Sequence, residues 1–416
     1  MIFLPKLLAP LLLLLLVSFP IQLRIREVSA AEEQLPLLSG LEEAVEFWKL
    51  AFTRYSGSEL IFHDPLEPMR IYRVLEVGPG SAPPRLVDEE KENILREYGL
   101  KREEKRIRVQ RGLKERFASG LRLSRRYIEQ MRQIFLTEGL PPEIAYLPLV
   151  ESSFDIHARS RAGALGMWQF MPSTGKKFLR IGPAVDERRD PMESTRAAAR
   201  FLRQNYEIFG KWPLAITAYN HGREGILRAI AEVGSKELME IIRRYQGPSF
   251  GFASKSFYAE FLAALEVAKR SEEFFPNLEY HPPFPLEEVE MKRPVAIDTL
   301  LRPTDITRSE FMEWNPALSA KIRDIPKGYR VKVPPEKLEM ILTFYRRAAQ
   351  PSPGASKPLS VSEDGGSWTR HRVTTGETLS QIAKTYRITV EEIRQANRLA
   401  SAHLVTAGQH LKIPKR

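Results

Sequence analysis

Glu151 is the residue of this 416-residue chain whose surroundings best suit the transfer of a proton. It closes the apolar run Ile144 to Val150 and is followed by Ser152, Ser153 and Phe154. A carboxyl flanked by Leu147, Leu149, Val150 and Phe154 is disfavoured as an anion, so it is expected to stay protonated near neutral pH and act as a general acid. A Gly-containing turn then leads to Gly166-Met167-Trp168-Gln169-Phe170-Met171. Later, Tyr219-Asn220-His221-Gly222 ends an apolar helix, and Tyr219 and Asn220 would be costly to bury unpaired. Both are therefore expected beside Glu151. Met167, Trp168, Phe170 and Met171 either line a ligand site or pack the core, and Met171 is read as the ligand contact.

The elements that must position these residues are helices. Leu123, Tyr127, Ile128, Met131, Ile134 and Phe135 share one face of a helix that Gly139 caps, and Pro141-Pro142 opens the next. Pro148 lacks an N–H and should kink or end that second helix, leaving Glu151 just past a distortion and facing a cleft. Asp190-Pro191 reads as N-cap and first-turn proline of a helix from Met192 to Phe209. Trp212 to Ala218, Gly225 to Ala231 and Ser256 to Arg270 complete an all-helical domain over residues 119–275. The fold class is mainly α, with one small mixed module at the end of the chain.

The other segments differ in character. Residues 32–118 form a charged, mostly helical lead-in, with extended runs over 58–77 broken by Pro65 and Pro68; its charge runs read as solvated faces, the alternative being a basic patch against membrane or wall. In 276–347, the close Tyr329-Arg-Val-Lys-Val-Pro334 echoes His410-Leu-Lys-Ile-Pro414, and Asn315 echoes Asn397. That region is either a degenerate repeat of the last module or an unrelated connector. Residues 348–370 are rich in Pro, Gly and Ser and read as a flexible tether. Residues 371–414 give strand, Gly turn, two helices and a returning strand.

Composition narrows the class. The formal net charge is +11, which suits an anionic partner, and no nucleic-acid motif accompanies it. Residues 1–31 read as a signal peptide: Lys6, an apolar stretch from Leu7 to Phe19, and small residues at Ser29-Ala30-Ala31. Cleavage is expected after Ala30 or Ala31; a retained anchor, hence membrane association, is the other reading. An exported chain located in the periplasm or cell envelope follows. It contains no cysteine, so neither disulfides nor a lipid-modified N-terminal cysteine are available. The seven histidines show no metal-ligand spacing; His371 and His403 read as surface residues and His221 as a loop residue. Asp186 and Asp190 look like loop and capping residues. No cofactor or metal is expected.

Glu151-Ser152, Gly166-Met167-Trp168-Gln169 and Ala218-Tyr219-Asn220-His221-Gly222 together resemble the soluble-lytic-transglycosylase family, which shares the goose-type lysozyme fold and cleaves peptidoglycan. By domain order the chain is similar to the membrane-bound type D murein transglycosylases, which pair such a domain with C-terminal LysM repeats. Those relatives are commonly lipoproteins, a property that a chain without cysteine cannot share. The β-α-α-β unit at 371–414 resembles a LysM module, which binds glycans containing N-acetylglucosamine; Gly376, Thr378, Leu379 and Asn397 are its expected contacts.

The resemblance implies one Glu with two proton jobs. It protonates the β-1,4 bond between N-acetylmuramic acid and N-acetylglucosamine, then accepts the proton of the muramyl 6-hydroxyl as a 1,6-anhydro ring closes. Ser152 is implied to order the Glu carboxyl or touch sugar, and reads equally well as a turn residue. Gln169 would bond an N-acetyl group, while Asn220 and Tyr219 face substrate. Tyr258 resembles a fourth motif tyrosine. Ordinary retaining glycosidases use a second carboxylate. The nearest here is Asp155, in a turn, and the lack of a placed partner favours ring closure over hydrolysis. The alternatives are a hydrolytic muramidase and a catalytically inactive wall-binding protein.

Overall fold

A computed structural model describes residues 35–347, 368–374, 377–397, 399, 405 and 408–414. The expected signal peptide, the tether up to residue 367, Gly376 and His403 lie outside the described residues. The chain divides into two units, Met1–Ala349 and Gln350–Arg416.

The first unit opens with helix α1 (Glu42–Thr53), whose Phe47, Trp48, Ala51 and Phe52 enter the main core. Strands β1 (Glu59–His63) and β2 (Ile71–Glu76) follow, then helix α2 (Pro84–Tyr98) and strand β3 (Arg108–Arg111). The sheet order is β2-β1-β3, antiparallel throughout. The extended runs expected over 58–77 are β1 and β2, while β3 is a strand inside the charge-dense stretch read as helical. Leu60, Phe62 and Tyr72 bury apolar faces that alternate along the strands, with Ile94 of α2 packed among them. The charged run forms α2, ended by Gly99 in the left-handed conformation (φ 62°).

The helical core begins with α3 (Lys114–Ser124) and α4 (Ile128–Thr137). The single helix read over 123–135 is in fact interrupted at Arg125 to Tyr127. A 3-10 turn, Pro142–Tyr146, leads into the one-turn helix α5 (Pro148–Glu151). Pro148 does not kink a longer helix; it opens this one, where its missing N–H costs nothing. The helices α6 (Pro172–Gly175), α7 (Pro191–Phe209), α8 (Trp212–His221), α9 (Arg223–Val233), α10 (Leu238–Arg244), α11 (Phe252–Lys269) and α12 (Ser271–Phe274) follow. Asp190 caps α7 by accepting the N–H groups of Met192 (3.0 Å) and Glu193 (2.9 Å), as its Asp-Pro context predicts. Helix α11 runs through the centre of the main core with Phe257, Tyr258, Ala259, Phe261, Ala263, Ala264 and Val267 buried.

The unit ends in a smaller cluster of its own: β4 (Glu287–Glu290), β5 (Val295–Ala296), α13 (Ile297–Leu301), α14 (Arg308–Trp314), β6 (Asp324–Ile325), β7 (Arg330–Val333) and α15 (Leu338–Arg347). The second unit contains β8 (Trp368–Arg372), α16 (Leu379–Tyr386), α17 (Val390–Ala396) and β9 (His410–Pro414), with β8 and β9 antiparallel. Strand β8 starts at Trp368, inside the segment read as tether. His371 is not a free surface residue: its ring lies between the Tyr386 hydroxyl (3.2 Å) and Glu377 (3.0 Å).

Candidate active site

Glu151 is the last residue of α5, and the backbone turns sharply behind it. Ser153 (φ 57°) and Phe154 (φ 60°) are both left-handed, a conformation that costs roughly 1–2 kcal/mol for each non-glycine residue. Tertiary bonds hold the turn. Ser152 donates its hydroxyl to the Met167 carbonyl (2.8 Å), and Arg116 Nε donates to Ser153 Oγ (3.1 Å). Gly120 of α3 lies so close that a Cβ there would approach Ser153 Cα to 3.0 Å.

The second wall is the Gly166–Met171 turn. Trp168 is fully buried and donates its indole N–H to Thr195 of α7 (2.9 Å). Tyr219 donates its hydroxyl to the Trp168 carbonyl (2.7 Å), so α8 is tied to the same turn. Gln169 is left-handed (φ 47°), and its amide donates to the carbonyls of Gly166 (2.8 Å) and Ala158 (3.2 Å). Gly166 must lack a side chain, because a Cβ would lie 1.8 Å from the Arg188 carbonyl oxygen.

Electrostatically the site is a desolvated acid. Burial pushes the Glu151 carboxyl up to about 8, and among the described residues nothing donates a hydrogen bond to it. Part of the residue's surface remains open. Burial, then the charge of Glu151, raises the Tyr219 hydroxyl well above its ordinary value, which places the phenol near the carboxyl.

Sequence reasoning missed Glu260. This second carboxyl, on α11, is pushed up to about 8 by burial first and by the neighbouring Glu151 charge second, against the opposing Arg116. It lines a cavity of about 270 Å³ with Trp48, Phe52, Arg108, Arg116 and three residues of the Glu151 segment, Leu149, Val150 and Ser153. Glu151 itself does not line that cavity; its neighbours do. The premise that no second carboxylate is placed near Glu151 is thereby corrected. Nothing in the order of residues signals Glu260, because packing of α5 on α11 brings it there.

Other expected site residues divide. Met171 is 39% exposed beside the turn, and Asn220 is exposed with Oδ1 near the Ser254 hydroxyl (3.4 Å). Ser152 is buried with its hydroxyl spent on Met167, so it joins two backbone segments and is closed to sugar. Tyr258 is fully buried and donates to the Pro36 carbonyl (2.9 Å), which removes it from the cleft. Met167, Trp168 and Phe170 are core. Among the described residues no cluster of His, Asp and Glu could hold a metal ion.

In the tail unit, Thr378 caps α16 in a reciprocal box with Gln381, and Leu379 is buried below it. Asn397 donates to the carbonyls of Ile393 (2.8 Å) and Lys412 (2.7 Å) and accepts from the Lys412 N–H (2.6 Å).

A family profile described as transglycosylase SLT domain matches residues 135–242, and one described as LysM domain matches residues 371–414. The chain carries an SLT domain and a LysM domain. Glu151, the Gly166–Met171 turn and the Tyr219-Asn220 pair all fall inside the SLT match. Glu260 and Tyr258 fall outside it.

Over 286 residues the chain is 28% identical to the membrane-bound lytic murein transglycosylase D of Escherichia coli strain K12, and equally to that of strain O6:H1. Each alignment covers 66% of this chain and 60% of the relative. Among solved structures, the 70 kDa soluble lytic transglycosylase of Escherichia coli aligns with a TM-score of 0.30 at 18% identity. That alignment covers 38% of this chain and 27% of the other.

Proposed function

We propose that the chain is an exported lytic transglycosylase of the cell envelope that cuts peptidoglycan strands while its LysM domain holds the wall. Protonated Glu151 gives its proton to the oxygen bridging N-acetylmuramic acid and N-acetylglucosamine, and the C1–O bond breaks. The resulting carboxylate takes the proton of the muramyl 6-hydroxyl as that oxygen bonds to C1, leaving a 1,6-anhydro end and the carboxyl restored. The internal hydroxyl needs no outside nucleophile because its effective concentration is already very high. Nothing in the cycle calls for a cofactor. The tethered LysM raises the local concentration of the SLT domain at the wall.

The observation that carries this reading is the Glu151 carboxyl, held protonated up to about 8 by burial inside an SLT domain and adjoining Tyr219. A group that must donate first and accept second works best with such a value near the working pH. Envelope location rests on the LysM match and the N-terminal signal pattern. Among the described residues no helix is long and apolar enough to cross a membrane.

Glu260 gives a specific reason to consider hydrolysis, since a hydrolase needs a second carboxylate. However, its carboxyl is also raised to about 8. Burial and the Glu151 charge both oppose the ionised form that a base or nucleophile requires, so ring closure remains the better reading. Mass spectrometry of products from purified sacculi decides: anhydro ends are lighter than hydrolysed ends by one water. Hydrolysed ends alone would overturn the lytic assignment, and product formation by Glu151→Gln would overturn the role of Glu151.

A further inference from the structure

Residues 287–334 and the tail module share a fold at the level of individual hydrogen bonds. In each, two outer strands pair antiparallel, β4 with β7 and β8 with β9, and enclose two helices. A left-handed glycine precedes each last strand. Gly328 (φ 77°) donates to the Met291 carbonyl (2.6 Å) while Met291 donates to Tyr329 (2.9 Å). Gly408 (φ 90°) donates to Val373 (2.7 Å) while Val373 donates to Gln409 (2.8 Å).

Each second helix starts with a reciprocal Thr-Glu cap, Thr307 with Glu310 and Thr389 with Glu392. An asparagine then ties that helix to the last strand. Asn315 donates to the carbonyls of Phe311 (2.9 Å) and Lys332 (2.9 Å) and accepts from the Lys332 N–H (2.8 Å). Asn397 makes the same three bonds with Ile393 and Lys412.

The inner module differs in what its loops do. The positions matching Thr378 and Leu379 are Ala296, the cap of α13, and Ile297, its first residue. Ala296 pairs with Asp324, and the Ile297 N–H donates to Arg323 (2.9 Å), so the two loops are zipped together. The last loop is also bound to the SLT domain: Asp186 donates to the Ala317 carbonyl (2.8 Å), and Ser319 donates to Ala184 (3.0 Å). Lys332 is buried in an ion pair with Asp190 (2.6 Å), whereas Lys412 is exposed.

From Asp186 the connection reaches the site. Its carboxylate clamps Arg188 through Nε (3.0 Å) and Nη2 (2.8 Å), and Arg188 Nη1 donates to the carbonyls of Gly163 (3.1 Å) and Phe170 (3.2 Å). Those carbonyls flank the turn that carries Gln169.

We propose that residues 287–334 are a second module of the LysM fold whose loop face braces the Gly166–Met171 turn through Asp186 and Arg188, in place of holding glycan. The turnover part of the test rests on the function proposed above; the exchange part does not. Leu318, between Ala317 and Ser319, is buried in the module's core and pairs with Val185. In the full chain, Leu318→Ala, which leaves a cavity at that seam, and Asp186→Ala, which removes the clamp on Arg188, each speed amide hydrogen exchange in residues 163–170 by at least about tenfold. Exchange in the tail module stays unchanged. Turnover number falls while KM and binding to sacculi hold, and the double variant is no worse than the worse single, because both act along one connection.

Unchanged exchange at 163–170 in both variants overturns the brace. So does Leu318→Ala that lowers sacculus binding with turnover intact, which would make the module a second grip on the wall. A wild-type chain that cleaves nothing, yet shows the exchange response, removes the proposed activity and leaves the brace standing.

Discussion

The hydroxyl of Ser152 and the carbonyl of Met167 meet at 2.8 Å inside the protein, fifteen positions apart along the chain. This bond closes the loop between the residue following Glu151 and the turn that carries Gln169. It fastens two neighbouring sequence motifs directly to each other. Ser152→Ala leaves the Met167 carbonyl buried without that donor, a loss of roughly 1–3 kcal/mol. Urea unfolding should show it together with a fall in turnover; an unchanged midpoint would mean the bond does not hold the two motifs together.

Glu151→Gln is expected to abolish product release from sacculi. Its effect on stability has a definite sign. A carboxyl whose value rises from 4.5 to about 8 on folding binds a proton in the folded chain that the unfolded chain has lost. Folding stability from this group therefore falls as pH climbs from about 4.5 to about 8. The variant should be more stable than wild type at pH 8 and nearly equal to it at pH 4. Thermal melts at the two pH values measure the difference, and a less stable variant at pH 8 would contradict burial of the acid.

The Glu151 charge raises the Glu260 carboxyl, and because Coulomb repulsion is mutual, ionised Glu260 opposes ionisation of Glu151 in turn, a repulsion that Glu260→Gln removes. Glu151 then loses its proton more easily, and the alkaline limb of the pH–rate profile moves to lower pH. Products should remain anhydro ends. A switch in product type would instead give Glu260 a direct part in bond breaking.

Asn397→Ala cuts the two bonds that join the end of α17 to Lys412 of β9, and a third to Ile393 within the helix. Retention on sacculi should drop while cleavage of soluble glycan strands persists. Co-sedimentation measured beside turnover separates the two, and undiminished retention would mean that this module is not the wall-holding part.

The helical core and the general position of Glu151 are legible because apolar spacing, Asp-Pro caps and helix-ending glycines are local signals. The environment of Glu151 is legible for the same reason: Leu147, Leu149 and Phe154 are its chain neighbours. Glu260 was hidden because its own helix reads as ordinary core, and only packing of α5 on α11 brings the carboxyls near each other. Ser152 and Tyr258 show the complementary limit. A polar side chain at a motif position can face inward, toward Met167 or Pro36, and residue type does not reveal which way it turns. In the lead-in, 58–77 already reads as extended, whereas β3 was masked by charge, since it is Arg-Val-Gln-Arg and carries little apolar alternation.

Gly166 and Gly163 both have positive φ, 79° and 91°, yet only at the first would an added Cβ strike another segment, the Arg188 carbonyl. In a saturation library scored for cell-wall digestion, codon 166 should admit no replacement at all. Codon 163, with open space around it, should accept asparagine, so two glycines three residues apart would record opposite tolerances in the same selection.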